Sequence, residues 1–328
     1  MKLQNVGILG VGSAVPTKVV TNFDLEKIIN TSDTWIRTRT GIRERRIVAG
    51  TQTTSDLAAE AAKAAVKAAG CTMAEIDLIL VATVSPDTIM PSTACFVQEK
   101  IGAKNAAAFD LSAGCTGFVY GLAVGCSFVR SGMYKRVLVI GAEVLSKFVD
   151  WTDRTTCVLF GDGAGAVLLG PVEKPGLLSF KLHADGSMGD LLITPAGGAR
   201  LPATKETVEA RQHYIKMVSG NETFKFAVRV MGEVVQQALD EAGLTKEDLD
   251  FLIPHQANLR IIEAARKRFN LPQERVVVNI DRYGNMSSAS IPVALDEAIR
   301  EGRIKRGHVL GFVGFGAGLT WGAIIMKY

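Results

Sequence analysis

The chain has 328 residues, 48% of them hydrophobic, 7% aromatic and 21% charged; that length exceeds a usual single core and fits two domains or one duplicated domain of a tightly packed α/β protein. A net charge of +4 is too small to make nucleic acid the bulk partner. Five cysteines (71, 95, 115, 126 and 157) without a CxxC pair argue against a disulfide framework or a zinc site and for a reducing cytoplasm.

The first residues do not read as an export signal, because Gln4, Asn5 and nearby glycines interrupt the apolar run. Val6–Leu9 is a predicted strand entering Gly10-Val11-Gly12. The resemblance to a dinucleotide fingerprint is superficial, since the third glycine is missing and Pro16 blocks a helix after the turn. A short helix is predicted over Asn22–Asn30. It precedes five arginines (37, 39, 43, 45 and 46) beside Trp35. That run is either a solvated face or a surface for a ligand both anionic and aromatic, such as coenzyme A, because guanidinium forks suit phosphates.

Thr54–Ala69 is an alanine-rich helix stopped by Gly70, and Ile76–Thr83 a strand. Phe109–Leu111 ends another strand, and Ser112-Ala113-Gly114 forms a tight turn. Cys115 then opens the apolar segment Thr116–Val129. A cysteine at a strand-to-helix turn faces unpaired N–H groups and the positive end of the helix dipole, which favour a thiolate near neutral pH. The competing reading is an inert buried thiol. This stretch alone leaves both open.

Thr155–Leu169, containing FGDGAG, reads as a strand pair with tight turns; no Lys-Ser/Thr follows to make a phosphate loop. Residues 194–213 lack periodicity and form the longest candidate loop, read as a flap. The uncharged stretch Val309–Met326 is long enough to span a bilayer. Its five glycines favour two buried strands around a turn, hence a soluble protein without membrane association.

A repeat organises these elements. Residues 69–77 match residues 242–250 without a gap, each reading helix, Gly stop, acidic turn, strand. Residues 110–132 match 280–302 at nearly the same spacing, each reading strand, turn, long helix, Gly stop. The chain is therefore divided into halves at 1–172 and 173–328, each a mostly parallel sheet with helix layers. Cys115 and Asn285 fall at equivalent helix N-termini, and His255 falls at the end of the strand matching the one that ends at Ala82. A nucleophilic cysteine needs a proton partner and oxyanion donors. His255, the Asn285 amide and the backbone around Phe315–Gly318 are the candidates. His183, His213 and His308 lack such settings, and Cys126 reads as core. Arg260, Lys267 and Arg268 share one face of a helix predicted over Asn258–Phe269.

With those motifs in view, the chain closely resembles the β-ketoacyl-acyl-carrier-protein synthase III family of bacterial fatty acid synthesis. The resemblance rests on GCTGF around Cys115, PHQANLR around His255, YGNMSSAS around Asn285, and on TSDTWIRTRTGIRER, FGDGAGA and LHADGS; it spans essentially the whole chain. It implies a thiolase-like fold, two duplicated α/β halves layered helix–sheet–helix–sheet–helix, and a homodimer. It implies a Cys115-His255-Asn285 triad and an oxyanion hole from the backbone N–H groups of Cys115 and Ala317. Trp35, Arg39 and Arg154 would contact coenzyme A, whose thioester is a substrate; no separate cofactor or metal is implied. Lys225, Arg260, Lys267 and Arg268 would dock malonyl-acyl carrier protein, and Met90 would reach the partner subunit's acyl pocket. The implied reaction condenses an acyl-CoA primer with the malonyl thioester through an acyl-Cys115 intermediate. A thioesterase or another acyltransferase on this fold is the alternative. A degradative thiolase is disfavoured because no cysteine follows Cys157.

Overall fold

The computed structural model describes residues 3–328. Two sheets face each other across a shared helical layer. The first takes its strands from Val6–Ala14, Leu78–Ala82, Ala107–Leu111, Val137–Val144 and Asp162–Pro171; the second from Leu177–Ala184, Phe251–Pro254, Val309–Gly316 and Thr320–Lys327. Between them lie the helices Gly117–Arg130 and Ser290–Arg300. Phe118, Leu122, Ile291 and Leu295 of these helices pack with Val139 and Val167 of one sheet and Phe312 and Ile324 of the other. Helix Thr54–Ala68 covers the outer face of the first sheet through Leu57 and Val66. Helix Gly220–Ala242 covers the second through Met231 and Val235. The result is the five-layered helix–sheet–helix–sheet–helix arrangement. Among the described residues, no helix is long and apolar enough to cross a membrane.

The repeated segments share fine structure. Helix Thr54–Ala68 and helix Gly220–Ala242 each run into a glycine at positive φ, Gly70 and Gly243. Each is followed by a short 3-10 turn opened by a threonine, Thr72 and Thr245, in a capping box with Glu75 and Asp248. Then Asp77 Oδ2 accepts from the N–H groups of Lys135 and Arg136, and Asp250 Oδ2 from that of Val309, so each acid ties down the start of the next strand.

Several sequence expectations are corrected. The first strand does not turn at Gly10 but continues to Ala14. A Cβ at Gly10 or Gly12 would strike Ala64, Ala65 or Ala69 of the covering helix, so these glycines allow close helix–sheet contact. The sheets are mixed rather than mostly parallel. Among the strands of the described residues, only Leu78–Ala82 with its two neighbours and Phe251–Pro254 with Val309–Gly316 pair in parallel. Strand Asp162–Pro171 returns antiparallel beside Val137–Val144, and Thr320–Lys327 beside Val309–Gly316. The 155–169 segment is a run of turns feeding one strand, Asp162–Pro171, not a strand pair. Ile280–Tyr283, expected as a strand by the repeat, is one turn of helix. Residues 194–213 contain the short helix Lys205–Glu209 and are tied by Ala196 N–H to Gln212 O at 3.0 Å. The stretch 309–326 is indeed two buried strands around a turn.

Candidate active site

The site lies where the two inner helices begin. Gly117 and Ser288, just ahead of their respective helices' first full turns, both pack on Ala82, and the Ser288 hydroxyl donates to Ala82 O at 2.7 Å. A cavity of about 540 Å³ opens here, lined by Cys115, His255, Asn285 and Ala317 at one end and by Trp35, Arg39 and Arg154 toward the other. A second cavity of about 260 Å³ also reaches Cys115 and is walled mainly by Val84, Leu145, Phe160, Leu192, Ile193 and Ile215.

Cys115 is 7% exposed. Its turn and the turn after strand Val309–Gly316 touch. A Cβ at Gly114 would sit 2.7 Å from both N and O of Ala317, and one at Gly316 would overlap Cys115 N. Only glycines permit that approach. Among the described residues, neither the Cys115 nor the Ala317 amide N–H has a backbone acceptor. The thiolate expectation is not met in the resting site. Burial pushes the Cys115 thiol up to about 12, and the buried Glu143 carboxyl adds to the rise. Withdrawal from water outweighs the helix terminus.

His255 follows strand Phe251–Pro254, and its N–H donates to Val313 O at 2.8 Å. The ring is 1% exposed, lies edge-on to Phe315 at 5.5 Å, and places Nδ1 2.7 Å from Ser290 Oγ. Burial alone lowers its pKa to about 3, so the imidazole is neutral at physiological pH. Asn285 is clamped between Leu159 and Gly161 by two backbone bonds, of 2.8 and 3.0 Å. Its Oδ1 accepts from Ser287 N–H at 2.8 Å. Only the oxygen can accept there, so the amide NH₂ is the free end.

Farther out, the Arg39 and Arg154 guanidinium groups lie 4.6 and 4.9 Å from the Trp35 ring. The arginine run divides. Arg45 is fully buried and donates to Val20 O, Asn22 Oδ1 and Val158 O, and burial lowers its pKa to about 10. Arg46 pairs with Glu44, and Arg37 with Asp33. Of the run, only Arg39 lines the cavity. Arg260 sits at the cavity wall with its guanidinium over Phe224. Lys267 is exposed, Lys225 is paired with Glu222, and Arg268 lies across Gly232 toward Glu233. Met90 is 86% exposed and lines neither cavity. Cys126 is core. His183 stacks on Trp321, His213 meets Thr207, and His308 lies beside Phe251. Sequence reading assigned the side chains of Ser287, Ser290 and Phe315 no role; serines and a phenylalanine carry no signal until their neighbours are known.

Comparisons with known proteins place the whole chain in one family. Residues 109–186 match the family model "3-Oxoacyl-[acyl-carrier-protein (ACP)] synthase III", and residues 239–328 match its C-terminal counterpart. The chain is 58% identical to the β-ketoacyl-[acyl-carrier-protein] synthase III of Caldanaerobacter subterraneus subsp. tengcongensis, over 98% of this chain and 97% of that one. It is 57% identical to that of Clostridioides difficile, over 98% of both. The crystal structure of the 3-oxoacyl-[acyl-carrier-protein] synthase III from Aquifex aeolicus superposes with a TM-score of 0.90 at 49% identity, covering 98% of this chain and all of that one. The priming β-ketosynthase of the R1128 polyketide pathway gives 0.92 at 35% identity, covering 99% and 97%. Motifs, layering, site and these likenesses along its whole length converge: the chain belongs to the β-ketoacyl-[acyl-carrier-protein] synthase III family of condensing enzymes.

Proposed function

We propose that the protein condenses a short acyl-CoA primer with malonyl-acyl carrier protein, giving a β-ketoacyl-carrier product, coenzyme A and CO₂. The observation that carries this reading is a buried cysteine sharing one cavity with a neutral imidazole and an amide whose NH₂ is free. Cys115 Sγ attacks the thioester carbonyl, the bond to the coenzyme A sulfur breaks, and the thiol proton leaves with that sulfur. Malonyl-carrier protein then enters and its carboxylate departs as CO₂. The electron pair left behind forms an enolate, whose oxygen takes hydrogen bonds from Asn285 Nδ2 and His255 Nε2. For His255 to donate there, Nδ1 accepts a hydrogen bond from the Ser290 hydroxyl. Ser290 Oγ donates to Ser287 O at 2.8 Å in the resting site, so its hydrogen turns from that carbonyl to Nδ1 when His255 donates. The carbanion attacks the acyl carbonyl, the amide N–H groups of Cys115 and Ala317 hold the oxyanion, and collapse expels the Cys115 sulfur.

Coenzyme A would run outward along the larger cavity, its adenine against Trp35 and its phosphates near Arg39 and Arg154. The acyl chain would enter the smaller apolar cavity. Arg260 and Lys267, with Lys225 and Arg268 beside them, would meet the acidic carrier protein. Residues 1–172 and 173–328 would be the two duplicated halves, and the working form a homodimer. Ile89 and Met90, 87% and 86% exposed in the single chain, support that reading, with Met90 directed to the partner's acyl pocket. Working in the cytoplasm, the enzyme would need no cofactor beyond its thioester substrates. Incubation with acetyl-CoA and malonyl-carrier protein, with products read by mass, tests it. Formation of acetoacetyl-carrier protein is expected. Release of acetate with malonyl-carrier protein untouched would make the protein a thioesterase instead.

A further inference from the structure

Ser287 stands apart from every other side chain at the site. Its hydroxyl is buried and has no hydrogen-bond partner among the described residues. Its φ is +45°, a left-handed value that a residue with a side chain seldom adopts. The backbone explains part of this. In that conformation the Ser287 N–H reaches Asn285 Oδ1, and its carbonyl caps Ser290. Those contacts do not explain a serine. Glycine would make both without strain, and an orphaned buried hydroxyl is destabilising.

The hydroxyl lines the smaller cavity together with Gly114, Cys115 and Ala317. It faces both the Cys115 sulfur and the Glu143 carboxyl and favours the ionised form of each, against the burial that opposes both. The charged and titratable groups facing the sulfur are few. Glu143, from strand Val137–Val144, is held by donors from Thr83, Val84, Ser85 and Ser288, and the Ser287 hydroxyl also faces it. His255 is neutral. Arg39 and Arg154 line the far end of the cavity. No cation among these stands beside Cys115 to stabilise a thiolate.

We propose that the Ser287 hydroxyl is a catalytic hydrogen-bond donor that turns from the Glu143 carboxyl to the Cys115 sulfur whenever that sulfur is anionic, before acylation and on its expulsion after condensation. This rests on Cys115 being the nucleophile of the proposed reaction. One residue would then serve the whole centre: its N–H sets Asn285, its carbonyl caps Ser290, and its side chain serves the nucleophile.

The test uses the full-length protein and Ser287→Gly, which removes the hydroxyl while accepting the left-handed backbone; Ser287→Ala is the companion. Iodoacetamide modification of Cys115 at pH 8, resolved by peptide mass, needs no substrate. The rate should fall about 10- to 100-fold in both variants, as expected for losing a hydrogen bond to a charged group. Acylation by acyl-CoA should fall by a similar factor. Decarboxylation of malonyl-carrier protein, measured in a Cys115→Ala background with and without Ser287→Gly, should fall at least tenfold less. Unchanged alkylation in a folded Ser287→Gly protein would overturn the proposal, as would equal losses in acylation and decarboxylation. If wild-type protein is alkylated faster than Ser287→Gly but forms no acyl-enzyme, the role of Ser287 stands and the synthase reading fails.

Discussion

The backbone N–H of Ser287 donates to Oδ1 of Asn285 at 2.8 Å, and so fixes which end of that amide faces the cavity. A freely turning amide would present oxygen as readily as nitrogen, and an oxygen would repel a developing enolate.

Acylation and decarboxylation should therefore separate. Asn285→Ala and His255→Ala should retain acyl transfer to Cys115 while losing about 100- to 1000-fold in malonyl decarboxylation, the usual effect of one oxyanion donor. Cys115→Ala should form no acyl-enzyme yet still release CO₂. Intact-protein mass and CO₂ evolution read the two steps. Loss of acylation with intact decarboxylation in Asn285→Ala would reverse the assigned roles.

The Cys115 thiol, held up to about 12 by burial, should remain protonated through neutral pH. Because the pKa is raised, the thiolate fraction increases with pH and does not saturate below that value. Alkylation at Cys115 should thus rise about tenfold per pH unit between pH 7 and 9. A plateau above pH 8 would mean that the helix terminus has prevailed over burial.

Trp35 and Arg45, close in sequence, should behave oppositely. Trp35→Ala should weaken acyl-CoA binding by roughly 1–3 kcal/mol, by analogy with base–aromatic stacking, and leave thermal stability near wild type. Arg45→Ala strips donors from Asn22 Oδ1 and Val158 O. It should destabilise the fold by roughly 1.5–3 kcal/mol for each bond lost. Michaelis constants and melting temperatures of the two variants decide this. An unchanged constant in Trp35→Ala would remove Trp35 from the binding site.

Arg260→Glu with Lys267→Glu should raise the Michaelis constant for malonyl-carrier protein on the order of tenfold at low salt, with acylation by acyl-CoA spared. The difference from wild type should shrink as salt is added. Equal impairment of both half-reactions would point to misfolding rather than lost docking.

Much of this protein was legible in its residues. The repeated helix, glycine and capped turn are local events, set by a left-handed glycine and a threonine capping box within a few positions, so 69–77 and 242–250 could be matched by eye. Motifs around Cys115, His255 and Asn285 identified candidates for one cavity because each is a short string with its own chemistry. What depends on distant partners was not legible. Strand direction within each sheet follows from where the chain returns, so mostly parallel sheets became mixed ones. Arg39 and Arg45 look alike in sequence, yet one lines the cavity and the other is buried among carbonyls 25 and 113 residues away. The ionisation of Cys115 also belongs to the tertiary structure. A helix terminus is local, whereas the burial that reverses its effect is supplied by residues far apart in sequence, among them Phe160, His255 and Phe315, closing around the sulfur.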